Sequence, residues 1–231
     1  MPLKIPLVKA PSEKISISFT WDDNSERHIT MISPLFLENG FRCTFYVVPG
    51  DREFDSFYSS SYAELATFGF EIGSHSFTHQ YMTSLTKQQS TDEFIEAIKK
   101  ICDCVAQYPI TFAFPNHDYN EDLIEQARNY HLETRNTLAN SIRFSLKTNT
   151  SLKDIINAID EAIMNNVSLI FSGHSIITEE EILKGQSGEG YQPIRITLLS
   201  DVLLYLKKVA SKVDVLTFLQ SSLKTLINLS C

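Results

Sequence analysis

Five short stretches of this 231-residue chain hold most of the side chains able to do chemistry. Asp22 and Asp23 stand together, His75 and His79 are separated by three residues in HSFTH, and Pro115, Asn116, His117 and Asp118 follow one another, while Arg135 and His174 stand alone. On a helical turn, residues four apart project from one face, so His75 and His79 could hold one borderline metal ion. The zinc-protease helix is excluded, because it needs a glutamate directly after the first histidine and Ser76 stands there. Adjacent aspartates after a strand point in different directions. One carboxylate can then enter a metal's coordination shell while the other stays free nearby as a base. A site of one carboxylate and two imidazoles leaves positions open for water and substrate, and a divalent ion there lowers the pKa of water from roughly 15.7 to about 7. His174 follows an apolar run and a glycine, and an imidazole there suits a general acid, a role worth about 10²- to 10⁴-fold. Taken singly, each feature also has a structural reading. These are an N-cap or turn aspartate pair, an exposed histidine beside a packed one, and a capping or metal-ligating His174.

These residues need elements to position them. Short β-branched and aromatic runs alternate with segments of 3.6-residue period along the chain, the pattern of repeated βα units around a parallel sheet. Seven strands are expected: Ile15–Thr20, Cys43–Val48, Phe70–Gly73, Ile110–Phe114, Leu132–Thr134, Val167–Ser172 and Val213–Leu216. Helices lie between them. One covers Arg27–Glu38 and ends at Gly40; Thr86 with Gln89, and Ser151 with Asp154, have the spacing of capping boxes. Residues 177–194, with three glycines, read as a long surface loop. All the polar residues singled out above then follow C-terminal strand ends, the edge at which parallel α/β architectures build active sites. His28 and His131 fall elsewhere. No linker or repeat divides the chain, so a single domain over residues 1–231 is expected.

Composition narrows the function classes. The chain is 43% hydrophobic and 21% charged, with 20 Lys+Arg against 28 Asp+Glu and a net charge of −8, which disfavours a nucleic-acid partner. Apolar runs fall far short of the roughly 18 residues of a membrane span. The opening MPLKIPLVKAPSEK lacks the apolar segment of an export signal, so a cytoplasmic location is expected unless a leader has been removed. Cys43, Cys102, Cys104 and Cys231 have no metal-site spacing.

In order and interval, TWDDN, FEIGSHSFTH, FAFPNHDYN and LIFSGHSI resemble the successive motifs of the polysaccharide deacetylase (NodB-homology) family of metal-dependent carbohydrate esterases. The resemblance runs from about Ile15 to Leu219 and implies an irregular (β/α)7 barrel. It also implies that Asp22 is the general base, that Asp23, His75 and His79 are the ligands of one divalent metal, and that His174 is the general acid. Zinc suits such ligands first, and cobalt, nickel or iron also fit. The backbone N–H of Asn116, after Pro115, falls where the family places a donor to the oxyanion. The implied reaction removes an N-acetyl, less often O-acetyl, group from a carbohydrate, by attack of a metal-bound water that Asp22 deprotonates. Trp21, Tyr46, Phe77, Tyr81 and Tyr119 flank the motifs and are candidates to stack on sugar rings, with packing as the other reading. The chain also departs from the pattern. Ala113 stands where the family carries the arginine that partners the base, with Arg135, His117 or Asp118 as possible replacements; Asn116 replaces an aromatic, Ser172 a leucine, and the fourth motif has no match. Two other functions therefore stay open: a deacylase of a small acylated metabolite, and a metal-holding carbohydrate-binding protein without turnover.

Overall fold

Where the sequence alternates β-branched runs with capped helices, the structure forms parallel ladders joined by helices. It is a computed structural model that describes residues 14–52, 54–188 and 190–229. The N-terminal stretch on which the expected location rests, and Cys231, lie outside the described residues. No helix among the described residues is long and apolar enough to cross a membrane. The strands are β1 (Ile15–Asp22), β2 (Thr44–Val47), β3 (Glu71–Ser74), β4 (Thr111–Phe112), β5 (Glu133–Thr134), β6 (Ser141–Ser145), β7 (Ser168–Gly173), β8 (Ile176–Ile177), β9 (Ile194–Arg195) and β10 (Val213–Val215). All seven expected strands are present. The helices are α1 (Ser33–Glu38), α2 (Ser59–Thr67), α3 (Lys87–Val105), α4 (Glu121–Ala127), α5 (Leu152–Asn165), α6 (Glu179–Leu183), α7 (Ile196–Lys208) and α8 (Phe218–Leu229).

Contacts group the chain into two compact units. The first contains Asp22–Asn24 and Thr44–Ala139. Here β2 pairs with β3 (Thr44 opposite Glu71, Val47 opposite Ser74), β3 with β4 (Ser74 opposite Phe112) and β4 with β5 (Phe112 opposite Thr134), all parallel. Parallel neighbours require crossovers, and α2, α3 and α4 supply them. Helix α3 starts at the expected Thr86–Gln89 capping box and buries Ser90, Phe94, Ala97, Ile101 and Val105, one stripe of a 3.6-residue period. Phe94 joins Met82, Phe112, Phe114, Leu123, Ile124 and Ala127 in the core.

The second unit contains residues 14–21, Ser25–Cys43 and 140–229. Its β1 is flanked by β7 (Ile17 opposite Leu169) and β10 (Ile15 opposite Val213), with β6 beyond β7 (Ser141 opposite Ser168). Strand β6 escapes sequence reading because SIRFS is short and half-exposed, and its pairing depends on β7. The expected helix over Arg27–Glu38 begins as a wide π-helical turn at His28–Ile32 before α1, with Gly40 closing it at φ +75°. The expected loop from residue 177 to residue 194 carries regular elements among its described residues. Thr178 and Glu181 form a capping box on α6, and β8 pairs with β9. Arg27 grips Glu181 there, with Nη1 2.9 Å from Oε2.

His131 gives the fold a pH dependence. It is buried against Phe112 and Phe94, its Nδ1–H donates to the Pro109 carbonyl at 2.8 Å, and burial pushes its pKa down to about 4. The unfolded chain takes up this proton near pH 6.5, so between pH 6.5 and 4 the unfolded state binds more protons and stability falls as pH falls. From pH 7 to pH 5 the wild type should lose about 2 kcal/mol more than His131→Phe in urea unfolding. Parallel pH dependences would remove His131 as the cause.

Candidate metal centre

Each site residue contributed by β3, β4 and β5 lies one rung beyond its strand. The N–H of His75 donates to Val47 (2.9 Å), that of Ala113 to Ser74 (3.0 Å) and that of Arg135 to Phe112 (2.8 Å), so the ladder itself sets where these side chains emerge. The last residue of β1 is Asp22, and Asp23 follows it with φ +65°. That left-handed backbone, costly for a residue with a Cβ, turns the two adjacent carboxylates to different partners.

Asp22 faces Arg135. Both are buried, at 4% and 2% exposure, and both carboxylate oxygens accept from the guanidinium, Nη1 to Oδ1 and Nη2 to Oδ2, the latter at 2.6 Å. A buried charge of either sign would be costly alone, and the bidentate pair resolves both. The cationic partner that Ala113 cannot supply therefore comes from Arg135, after β5. The other two candidates are engaged elsewhere. Asp118 accepts from the Thr83 N–H (2.7 Å) and hydroxyl, and His117 Nδ1 lies 3.2 Å from Asn136. Beneath Arg135 lies the ring of Tyr46, with its centroid 5.2 Å from Cζ. The Tyr46 hydroxyl donates to Thr111 (3.2 Å), and Thr111 and Thr44 both donate to the buried Glu71. Burial, with help from the Glu71 carboxylate, raises the Tyr46 phenol well above its ordinary pKa.

Asp23 faces the imidazoles. Its Oδ1 lies 3.1 Å from Nε2 of His79 and 3.7 Å from Nε2 of His75, and one ligand atom from each residue falls within 4.8 Å of the others. Donors that share an ion at about 2.0–2.2 Å stand in this range. His75 Nδ1–H donates to the Ala113 carbonyl at 2.7 Å, which leaves Nε2 as the basic nitrogen on the Asp23 side, and burial pushes its pKa down to about 4, keeping the ring neutral. Burial alone would raise Asp23, but the hydrogen bond to His79, with the two imidazoles beside it, outweighs that and holds the carboxyl below its usual range. The same bond raises His79. An imidazole pair beside an ionised carboxylate fits a borderline divalent ion.

Three expectations need correction. His75 and His79 share no helical turn: residues 75–81 form a loop in which Ser76 (φ +62°) and His79 (φ +60°) are left-handed, and this loop brings the rings to 5.0 Å. Tyr46 and Trp21 are fully buried and offer no face to a sugar. Tyr46 underlies Arg135, and Trp21 packs on Gly173, where a Cβ would lie 2.9 Å from the indole. Of the other aromatics, Tyr119 packs against Phe114, Phe77 is half-buried and Tyr81 is exposed. Pro115 is buried and opens a short 3₁₀ turn, and Asn116 is exposed at φ +56°.

In the second unit His174 follows β7. Its carbonyl accepts from Nε2 of the buried His28 at 2.7 Å, and its ring meets that of Tyr191 edge to face at 5.0 Å. The buried Nδ1 of His174 has no hydrogen-bond partner among the described residues. Sequence reading assigned His28 no role and missed Tyr191. The π-helical turn that aims His28 inward and the loop that carries Tyr191 leave no local pattern to read.

The sequence profile of the polysaccharide deacetylase family matches residues 9–134, more than half of the chain, and the chain belongs to that family. No curated protein matches the sequence. Among solved structures, the Xyl-CE4 domain of a multidomain xylanase from the hindgut metagenome of Trinervitermes trinervoides is 14% identical with a TM-score of 0.62, covering 90% of this chain and 89% of that one. A family 4 carbohydrate esterase from Streptomyces lividans in complex with acetate is 17% identical (TM-score 0.59, 89% and 93% covered). A family 4 pseudoenzyme from Bacillus anthracis is 13% identical (TM-score 0.63, 92% and 66% covered). The fold is the irregular (β/α)7 barrel of these proteins. It is shared by an esterase and a pseudoenzyme, so function has to be argued from the site.

Arg135→Leu should leave the buried Asp22 carboxylate without its guanidinium, a cost of about 3–5 kcal/mol. Adding Asp22→Leu should recover part of that loss in denaturant unfolding, because the orphaned charge is gone. Strictly additive losses would show that the pair is not coupled.

Proposed function

We propose that this chain is a divalent-metal-dependent hydrolase that removes an acetyl group, N-linked before O-linked, from a carbohydrate. The observation that carries this reading is the split of two consecutive aspartates, Asp22 to a buried arginine and Asp23 to two imidazoles. Asp23, His75 and His79 would hold the ion, zinc first, and when bound it would supply Lewis acidity at the acyl oxygen and make water acidic near neutral pH.

The chain's own residues do the rest. Asp22, gripped and oriented by Arg135, takes the proton of the attacking water, and the bidentate grip fixes the carboxylate in one rotamer. The N–H of Asn116 donates to the acyl oxygen as negative charge develops on it. For His174 the support is its place in the motif order. It gives a proton to the departing amine, so that acetate and a free amino sugar result, and His28 holds its backbone carbonyl in place. The ground for a binding protein without turnover was a base lacking its cation, and Arg135 removes that ground.

Metal content measured beside acetate release from N-acetylglucosamine oligomers tests the proposal. About one ion per chain, lost in His75→Ala and in His79→Ala, is expected together with acetate. Asp22→Asn should keep the ion and abolish release; loss of the ion instead would mean that the two aspartates are reversed. His174→Ala should keep the ion and lower kcat by about 10²-fold or more, and full activity would remove His174 from the acid role. Metal without acetate would favour a small acylated substrate or a non-catalytic binder, and no metal at all would overturn the reading.

A further inference from the structure

The loop between the two histidines is held both from within and from outside. Ser76 and His79 adopt left-handed backbone, at φ +62° and +60°, a conformation that L residues keep only where their surroundings fix it. Three contacts fix it. The His79 N–H donates to the Ser76 hydroxyl at 3.0 Å. The Phe77 carbonyl accepts from the Gly50 N–H at 2.8 Å, at a spot where a Cβ on residue 50 would lie 2.4 Å from that oxygen. The third contact comes from Glu93, on α3 and 15 and 16 residues downstream of the two residues it holds. Its Oε2 accepts from the N–H groups of both Phe77 and Thr78 at 2.8 Å each, and its Oε1 accepts from the Thr78 hydroxyl at 2.5 Å.

We propose that Glu93 is a positioning residue of the metal centre, its carboxylate filling the concave pair of loop amides and so pre-organising His75 and His79. The inference rests on the reading of Asp23, His75 and His79 as ligands. Two consecutive N–H groups after a left-handed residue make an anion cradle, and here the anion is supplied by the chain. Phe77 and Thr78 are the residues immediately before His79, so fixing their peptide planes fixes the direction in which the His79 ring leaves the backbone. That ring is half-exposed, at 33%, and has little packing of its own to orient it, unlike the buried His75 with its Ala113 contact. Helix α3 is a firm base for such a clamp, being capped at Thr86 and seated in the core through Phe94, next to Glu93.

The test measures zinc affinity of the full chain by competition with a chromophoric chelator, at a temperature where circular dichroism shows each variant folded. Outer residues that orient ligands typically contribute about 10- to 100-fold to metal affinity, and Glu93→Ala should lose that much. Glu93→Gln, which keeps acceptor and shape, should recover most of it. Glu96→Ala, one turn on and paired with Lys99 rather than with the loop, should bind as the wild type does. Should Glu93→Ala fail to fold, Glu93→Asp keeps the charge but draws it back from the amides, and weaker zinc binding is again expected. Zinc bound by the folded Ala or Asp variant within twofold of wild type would overturn the clamp. Zinc bound by neither wild type nor variant, or bound undiminished by His79→Ala, would overturn the metal reading itself.

Discussion

The pair formed by Asp22 and Arg135 is the constraint on which the first unit's site depends. Two opposite charges almost without solvent contact stay ionised only while each satisfies the other, so the end of β1 and the start of the segment after β5 must meet in one geometry. That requirement propagates downward. Arg135 needs a floor that does not repel it, and the Tyr46 ring provides one. Tyr46 in turn needs space, and Gly73 leaves it, since a Cβ there would come within 2.5 Å of the ring. The Tyr46 hydroxyl needs a partner, which leads through Thr111 to Glu71 and Thr44. One ion pair thus accounts for the residue types at several strand positions that a purely apolar core would have filled differently.

Unfavourable backbone marks the segments that carry the chemistry, as it also marks Ala106, Asn140, Asn166 and Gln192 elsewhere. Asp23, Ser76, His79, Asn116 and His117 all have positive φ without being glycine. Each such residue costs of order 1–3 kcal/mol, and such residues persist where surrounding contacts over-determine them. Here those contacts are the Glu93 carboxylate, the Ser76 hydroxyl, the Gly50 amide and the paired β3–β4–β5 ladder. Strain of this kind spaces the Asp23, His75 and His79 donors as one ion would need them. In the second unit His174 is treated differently. Its backbone is pinned by His28 while its ring leans on the exposed Tyr191, so the orientation of the imidazole depends on a loop tyrosine rather than on a strand.

Much of this was legible. The seven strand positions, the capping boxes at Thr86 and Ser151, and the Gly40 stop follow from hydrophobic period and cap chemistry, which are local in sequence. The same is true of the placement of polar residues at C-terminal strand ends, because a parallel ladder sends every strand's last residue to the same edge. Strand β6 and the ordered elements of residues 177–194 were not legible, since β6 owes its existence to its neighbour β7, and β8 and β9 to each other. For Trp21 and Tyr46 the packing reading holds over the sugar-stacking one, and the sequence left both open because proximity to a motif does not tell whether a strand side chain faces a cleft or a core.

The sequence by itself determined the family, the strand order along the chain and the set of polar side chains available for chemistry, because motif spacing and periodicity are properties of neighbouring residues. Only the tertiary structure decided which of them meet. Asp22 and Arg135 are 113 positions apart, and nothing local distinguishes Arg135 from His117 or Asp118 as the partner of the base. The strand register distinguishes them, by placing Arg135 one rung past Thr134 and against the buried Asp22 carboxylate. The histidines came together for the same reason. Four-residue spacing suggested a helical turn, but a carboxylate from a distant helix and two left-handed residues held a loop instead, and interactions between segments outweighed the local preference.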